Sequence, residues 1–93
     1  AYQHALNNLR AQIDTIDQNL LDTLGKRMNV AVEIGALKKS NNVAVLQNKR
    51  WNEILGKMIL EGQERELSEE FILRVFKAIH QESINKQEKI LNA

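Results

Sequence analysis

The 93-residue sequence contains no cysteine and no proline, and only four of its residues are glycine. Without cysteine the chain can form no disulfide and no thiolate metal site. This fits a reducing compartment, so we expect a cytoplasmic protein. The two histidines, His4 and His80, are far apart in the sequence, and we expect no metal site. Because chains built of strands and tight turns rarely lack proline, the composition favours an all-α fold.

The sequence also lacks blocks of like charge and long apolar runs. Thirteen basic residues face twelve acidic ones, and the two signs are interspersed. Nucleic-acid-binding proteins usually carry a basic stripe, so we expect no nucleic-acid partner. No apolar run approaches the roughly 18 residues that span a bilayer, and residues 1–4 do not resemble a signal peptide, so we expect no membrane partner. The length suits one domain, residues 1–93, and the absence of an initiator methionine would suit either a processed protein or a domain excised from a longer chain.

Three helices are predicted between two breaks in the apolar periodicity. Asn41 and Asn42 form the first break, because asparagine tolerates the left-handed conformation that ends many helices. Gly62 and the polar run after it form the second break, and Ser68 has the residue type of a helix N-cap. The predicted helices span about Leu6–Ser40, about Gln47–Gly62 and about Ser68–Asn92.

The first predicted helix is too long for a monomer of this size. At about 1.5 Å per residue it would extend roughly 50 Å, whereas a compact domain of this length is roughly 30 Å across. Its apolar seam advances in steps of three and four, as in a coiled coil, through Leu6, Leu9, Ile13, Ile16, Leu20 and Leu24. We therefore expect an intertwined helical homodimer, with a chain folded back at Gly25 as the rival arrangement. Close approach of another helix would explain Gly35.

Polar side chains interrupt the predicted seams of all three helices. On the first helix the seam continues through Arg27 and Lys38, which lie within about 20° of the same face. On the third helix Ser83 and Gln87 interrupt the seam one turn apart, and on the second helix Arg50 stands at a seam position. The pattern therefore predicts polar groups that face inward from every helix.

The seam cations admit two interpretations. A buried cation costs several kcal/mol unless a counter-charge compensates it, and no seam position is acidic, so a small dianion between Arg27 and Lys38 would serve. Alternatively, both cations extend to water or pair with an acid such as Asp17 or Glu33 of another helix. Arg10 lies about 25 Å along the helix from Arg27 and about 100° around it, so it could reach such a pocket only in a dimer partner. Otherwise Arg10 is a solvated surface residue.

The remaining residues offer no further chemistry. Trp51 is better explained as a core or interface residue than as a platform on which a ligand stacks, and His80 as a partly exposed helix residue. The sequence has no Ser/His/Asp arrangement, no phosphate-binding glycine loop and no metal-ligand spacing. If the protein is an enzyme, its reaction therefore needs no nucleophile, no metal and no cofactor.

One ordered set of residues carries a resemblance to a known family. The set consists of Leu9–Asp14, Ile16–Asp17, Leu20–Leu21, Arg27, Val32–Gly35, Lys38, Val45, Arg50, Glu82–Ser83 and Gln87. It resembles the all-α (AroQ-type) chorismate mutases over about Leu6–Leu91, without gaps. Three further segments are most similar to mutase domains fused behind a 3-deoxy-7-phosphoheptulonate synthase: His80–Asn85, Leu46–Gln47 and Arg50–Trp51. The resemblance thus implies such a synthase as a fused or associated partner.

The resemblance implies an isomerase of aromatic amino-acid biosynthesis. It would convert chorismate to prephenate by a [3,3] sigmatropic shift, without a covalent intermediate, in a dimer with two active sites. Arg27 and the partner's Arg10 are implied to clamp the two substrate carboxylates, with Ser83 assisting at the ring carboxylate. Arg50 is implied to support the pocket wall or a carboxylate.

Two further residues are implied to act on the breaking bond. Lys38 and Gln87 match the donors to the ether oxygen, where negative charge develops, and Gln87 is neutral and so needs no acid to donate. At two positions the chain departs from enteric members of the family. Trp51 replaces a glutamate that contacts the substrate hydroxyl, and Gln47 replaces an acidic residue, so only a backbone contact at Gln47 could survive. Glu53, two residues further along the helix, is not expected to replace that glutamate.

The alternative function is a helical dimerisation or regulatory module of a fused enzyme. Such a module explains the long first helix and the dimer. It does not explain why cations occupy the apolar seam.

Overall fold

The computed structural model describes residues 1–45 and 47–93; Leu46, which belongs to one of the segments that carry the family resemblance, lies outside them. The chain forms three helices: α1 (Tyr2–Ser40), α2 (Asn48–Glu64) and α3 (Glu69–Leu91). No strand occurs in the described ranges, so the predicted all-α class is confirmed. The chain divides into two compact units, residues 1–30 and residues 31–93, and α1 contributes residues to both.

The first unit consists of the N-terminal part of α1 and carries the predicted apolar seam. The helix continues through Gly25, so the chain does not fold back there. Four seam side chains are more than half exposed: Leu9 (58%), Ile13 (57%), Ile16 (62%) and Leu20 (55%). A single chain therefore leaves much of this seam uncovered, as the length of the helix predicts.

The end of α1 follows the predicted asparagine pair. Asn42 adopts a left-handed backbone with a φ of 55°. The Asn41 side-chain amide donates to the Leu37 carbonyl over 2.9 Å, which satisfies one of the carbonyls that a helix end leaves without a partner. The first break is thus confirmed.

The second break lies within the polar run that the sequence predicts after Gly62. Helix α2 runs two residues further, to Glu64, and the left-handed backbone occurs at Glu66, whose φ is 60°. Glutamine and glutamate are good helix formers, so Gln63 and Glu64, the first two residues of this run, continue the helix before it ends. Gly62 has a packing role, because a Cβ there would lie 2.7 Å from Cγ1 of Ile72 in α3.

Helix α3 begins and packs as its sequence predicts. Ser68 is the N-cap, and its hydroxyl accepts a hydrogen bond from the Phe71 backbone N–H over 3.2 Å. On the seam of α3, Ile72, Ser83 and Gln87 are buried, at 4%, 9% and 6% exposure. The seam therefore carries two polar side chains into the interior of the second unit. Within the described part of the chain, no helix has the length and apolar character needed to cross a membrane.

Candidate active site

Lys38, Gln87 and Ser83 form a continuous polar row between the end of α1 and the last turns of α3. The Lys38 ammonium donates to Oε1 of Gln87 over 2.8 Å. The Gln87 amide nitrogen in turn donates to Oγ of Ser83 over 3.2 Å. The structure thus brings together three of the residues that the sequence predicts for the site, and two of them are buried.

A glycine allows the two helices to approach closely enough for this row to form. A Cβ on Gly35 would lie 3.0 Å from the Gln87 Cα and 3.4 Å from both its Cβ and its Cγ. Only a residue without a side chain therefore admits the α3 backbone at this separation. The close approach predicted for Gly35 is confirmed, and the helix it admits carries Gln87.

Lys38 also organises the loop that follows α1. Its backbone carbonyl accepts from the Val43 N–H over 2.9 Å and from the Asn41 N–H over 3.2 Å. Its ammonium donates to the Val45 carbonyl over 2.7 Å. The sequence does not predict this second acceptor, because every residue has a backbone carbonyl and the residue pattern does not indicate which one Lys38 contacts.

The polar row keeps donor capacity for a ligand. An ammonium has three N–H bonds, and its acceptors among the described residues, Gln87 and Val45, use two of them. A lysine cannot accept, so the Gln87 amide must turn its oxygen to Lys38 and its NH2 group towards Ser83, and one of those two N–H bonds remains. The Ser83 hydroxyl accepts from Gln87 and can donate its own proton elsewhere. Each member therefore offers a further donor, as a site for an anion or an electron-rich oxygen requires.

Burial also affects the charge of the row. Desolvation lowers the pKa of the half-buried Lys38 ammonium below its ordinary value of 10.5. The cation has no acidic hydrogen-bond partner among the described residues, since both of its acceptors are neutral carbonyl groups. An anionic ligand would supply the missing counter-charge.

Four other predicted site residues lie on α1 or at the start of α2. Arg27 is half-buried on α1, in keeping with its seam position, whereas Arg10 is exposed; both belong to the first unit. Gln47 is the exposed N-cap of α2. The seam pattern predicts an inward-facing Arg50, but its side chain is exposed in the first turn of α2. The roles of these four residues stay predictions.

Trp51 and His80 form an aromatic pair that the sequence does not reveal. Their rings stack with centroids 4.0 Å apart and an angle of 13° between the planes. Both rings line a groove of about 560 Å³ between α2 and α3, together with Leu55, Glu70, Leu73, Arg74, Lys77 and Gln81. Trp51 thus packs on a neighbouring side chain, which agrees with the interpretation that favours packing over a ligand platform.

Comparison with known proteins identifies related sequences over nearly the whole chain. The sequence profile of the chorismate mutase type II family matches residues 9–88. A bifunctional chorismate mutase/prephenate dehydratase of Buchnera aphidicola subsp. Schizaphis graminum is 32% identical over 87 residues, which are 94% of this chain and 23% of that protein. The Escherichia coli K12 protein of the same name is 30% identical over 89 residues, which are 96% of this chain and 23% of that protein.

A further relative is similar in length to this chain. The 4-amino-4-deoxychorismate mutase of Streptomyces venezuelae is 26% identical over 90 residues, which are 97% of this chain and 87% of that protein.

The bifunctional relatives set a limit on what the comparison shows. This chain spans less than a quarter of their length. Their names join a mutase to a prephenate dehydratase and not to a synthase, so they do not support the synthase partner that the resemblance of residues 80–85 implies.

The family profile extends from the first seam of α1 to the last turns of α3 and includes the whole polar row. The chain therefore belongs to the chorismate mutase type II family.

Proposed function

We propose that this chain catalyses the rearrangement of chorismate to prephenate. The observation that carries the proposal is the row of Lys38, Gln87 and Ser83, in which two members are buried and, among the described residues, every member keeps a donor for a ligand. Chorismate has two carboxylates, and it rearranges only in a compact conformer that is otherwise disfavoured. Cations that hold both carboxylates select that conformer, which is catalysis by proximity.

The row suits the charge that develops in the transition state. As the ether bond breaks, negative charge grows on its oxygen, and the remaining N–H bonds of Lys38 and Gln87 are the donors we assign to it. Both donors are held by hydrogen bonds before any ligand binds, so little reorganisation is needed during the reaction. A preorganised donor of this kind typically lowers the barrier by about 3–4 kcal/mol. We assign Ser83 and Arg27 to the carboxylates, and Arg50 to the pocket wall or to a carboxylate. No nucleophile, metal or cofactor takes part in this mechanism.

Substitution of the two donors tests this mechanism. Lys38→Met and Gln87→Met keep the length of each side chain and remove its donors, and each should lower kcat about 100-fold or more. The assay follows the loss of ultraviolet absorbance of chorismate, and 4-amino-4-deoxychorismate is run in parallel because one relative carries that name. Lys86→Met and Gln81→Met are matched controls on exposed positions of α3 and should retain activity. No turnover by the unmodified chain would refute the proposal and leave the regulatory-module function.

The proposal includes a homodimer in which Arg10 acts in the partner's site. It is supported by the exposed seam of α1, which a second copy of the chain would cover, and by the position of Arg10 on the same stretch of helix. Leaving four large apolar side chains in water forfeits about 1.5–3 kcal/mol for each one that could be buried. Association of two copies would recover part of that free energy.

Subunit exchange tests the shared site. Arg10→Ala and Lys38→Met dimers should each be inactive, since every site lacks one residue. In an equal mixture, half of the dimers would combine the two chains and contain one intact site, so about a quarter of the unmodified activity should return. No recovery, with exchange verified by native mass spectrometry, would exclude the trans role of Arg10.

Two finer predictions remain open. A synthase as a fused or associated partner is supported only by the resemblance of short segments such as His80–Asn85. The sequence of the complete gene, and co-purification from the source organism, would decide between a synthase and the dehydratase found in the named relatives. The cytoplasmic location stays a prediction, and fractionation of the source cells would test it.

A further inference from the structure

Two consecutive lysines at the end of α1 both reach the last turns of α3. Lys38 contacts the side chain of Gln87, as described above. Lys39 instead contacts main-chain oxygens: its ammonium lies 3.3 Å from the Ile90 oxygen and 2.8 Å from the Ala93 oxygen. Since Ile90 follows Gln87 by three residues, the two lysines hold the same segment of α3, one by a side chain and the other by the backbone.

The contact of Lys39 is favourable at this end of a helix. The last carbonyls of a helix have no partner within it, and they form the negative end of its dipole. A cation placed there both donates hydrogen bonds and stabilises the dipole. Of the two oxygens, that of Ile90 belongs to the last turn of α3, and that of Ala93 lies two residues beyond the end of the helix. Lys39 thus connects the last turn of α3 and the segment after it to α1, although its own side chain is exposed.

A second contact fixes α3 one turn earlier on α1. Gly35 precedes Lys39 by four residues, so both lie on the same face of α1. Gly35 admits the backbone of Gln87, and Lys39 holds the oxygens three and six residues beyond it. Two contact points along one helix define the axial position of the other. Gln87 lies at the first of these points, so its distance from Lys38 depends on both.

We propose that Lys39 is a positioning residue: by holding the Ile90 and Ala93 oxygens it keeps Gln87 in register with Lys38. This inference rests on the proposed mutase function, because it assigns Lys39 an effect on turnover through Gln87. Lys39 does not itself belong to the polar row, and its exposed side chain is directed to the end of α3.

Substitutions of Lys39 test the inference by steady-state kinetics. Lys39→Met removes the donors, and kcat should fall about two- to fivefold, in keeping with the strength of a cation at an exposed helix end. KM should change little, because the groups assigned to the carboxylates are untouched. Lys39→Arg restores a cation and should retain most of kcat. Lys89→Met is the matched control, since it removes an exposed lysine from the last turn of α3 without breaking a contact to α1, and its kcat should equal that of the unmodified chain.

A second readout does not depend on turnover. In an ¹⁵N-labelled chain the side-chain amide resonances of Gln87, assigned by their absence in Gln87→Met, should move in Lys39→Met and remain in place in Lys89→Met. If the chain has no mutase activity but the Gln87 resonances shift in Lys39→Met, the proposed function is contradicted and the positioning role of Lys39 is supported. Unchanged Gln87 resonances in Lys39→Met, or equal changes in kcat for Lys39→Met and Lys89→Met, would overturn the inference.

Discussion

Gly35→Ala tests whether the distance between α1 and α3 determines the rate of the reaction. The added Cβ would lie 3.0 Å from the Gln87 Cα, whereas ordinary contacts begin near 3.4 Å. The neighbouring atom belongs to the α3 backbone, so the strain cannot be relieved by rotating a flexible side chain. The backbone around Gln87 must therefore move by several tenths of an ångström. The Lys38–Gln87 bond, at 2.8 Å, would lengthen or bend by a similar amount.

Two opposing contributions determine the change in stability of Gly35→Ala, and the displacement of the backbone determines its change in kcat. Overpacking costs about 1–3 kcal/mol, and alanine in place of glycine within a helix returns about 1 kcal/mol, so the net loss of stability is about 0–2 kcal/mol. Misplacement by about 1 Å can cost about 100-fold in rate, so a shift of several tenths of an ångström should lower kcat about tenfold. Gly35→Ala thus predicts a folded protein with a large loss of turnover.

Gly62→Ala separates this effect from general destabilisation. Its Cβ would lie 2.7 Å from Cγ1 of Ile72, a closer contact, but one that lies about three turns of α3 before Ser83. Chemical denaturation should show that Gly62→Ala loses at least as much stability as Gly35→Ala. At a temperature where both variants are folded by circular dichroism, only Gly35→Ala should lose turnover of chorismate. Equal loss of kcat in both variants would refute the argument from spacing.

Three further predictions concern the charge of the row and the cap of α3. Because desolvation lowers the pKa of Lys38, the alkaline limb of the kcat/KM profile should fall below pH 10.5 as the ammonium loses its proton. The alkaline limb of kcat should lie at higher pH, because the bound dianion favours the charged form; coincident limbs would contradict this. Gln87→Glu places a carboxylate that the Lys38 ammonium keeps ionised, so turnover should be low at neutral pH and rise as the pH falls; a flat pH profile would count against a donor role for Gln87. Ser68→Ala removes the acceptor of the Phe71 N–H and should lower the free energy of unfolding by about 1 kcal/mol in urea titrations, without a change in kcat at temperatures where the fold is intact.

The sequence predicts the polar row because helical periodicity is a strong constraint. Ser83 and Gln87 interrupt an apolar seam, and both are buried; Lys38 interrupts another seam, and it meets Gln87. The period of the helix determines which face each residue occupies, and the only tertiary assumption required is that apolar faces pack together. The N-cap at Ser68 and the close approach at Gly35 follow from residue type in the same way.

The contacts that the sequence did not predict involve main-chain oxygens, the packing between helices, or the position of a residue near a helix end. Neither the Val45 carbonyl nor the oxygens that Lys39 holds is a property of residue type, so no pattern indicates these contacts. Residue type places Gly62 near a helix end, but it does not indicate that the glycine packs against Ile72, where a Cβ would lie 2.7 Å from Cγ1. Arg50 stands at a seam position by periodicity alone, yet it lies in the first turn of α2, where side chains are exposed.

Stability alone does not account for the polar row. Apolar side chains of similar size at Lys38, Ser83 and Gln87 would fill the same volume, with no charge to desolvate and no donor to satisfy, and such replacements are often neutral or stabilising. Counted over the described residues, the row satisfies its own acceptors and retains unused donors, one on each member. A network retained only for structure would instead pair its donors as completely as its acceptors. The surplus of donors is the physical reason for assigning these residues to an anionic ligand, and it makes the loss of turnover in Lys38→Met and Gln87→Met separable from any loss of fold.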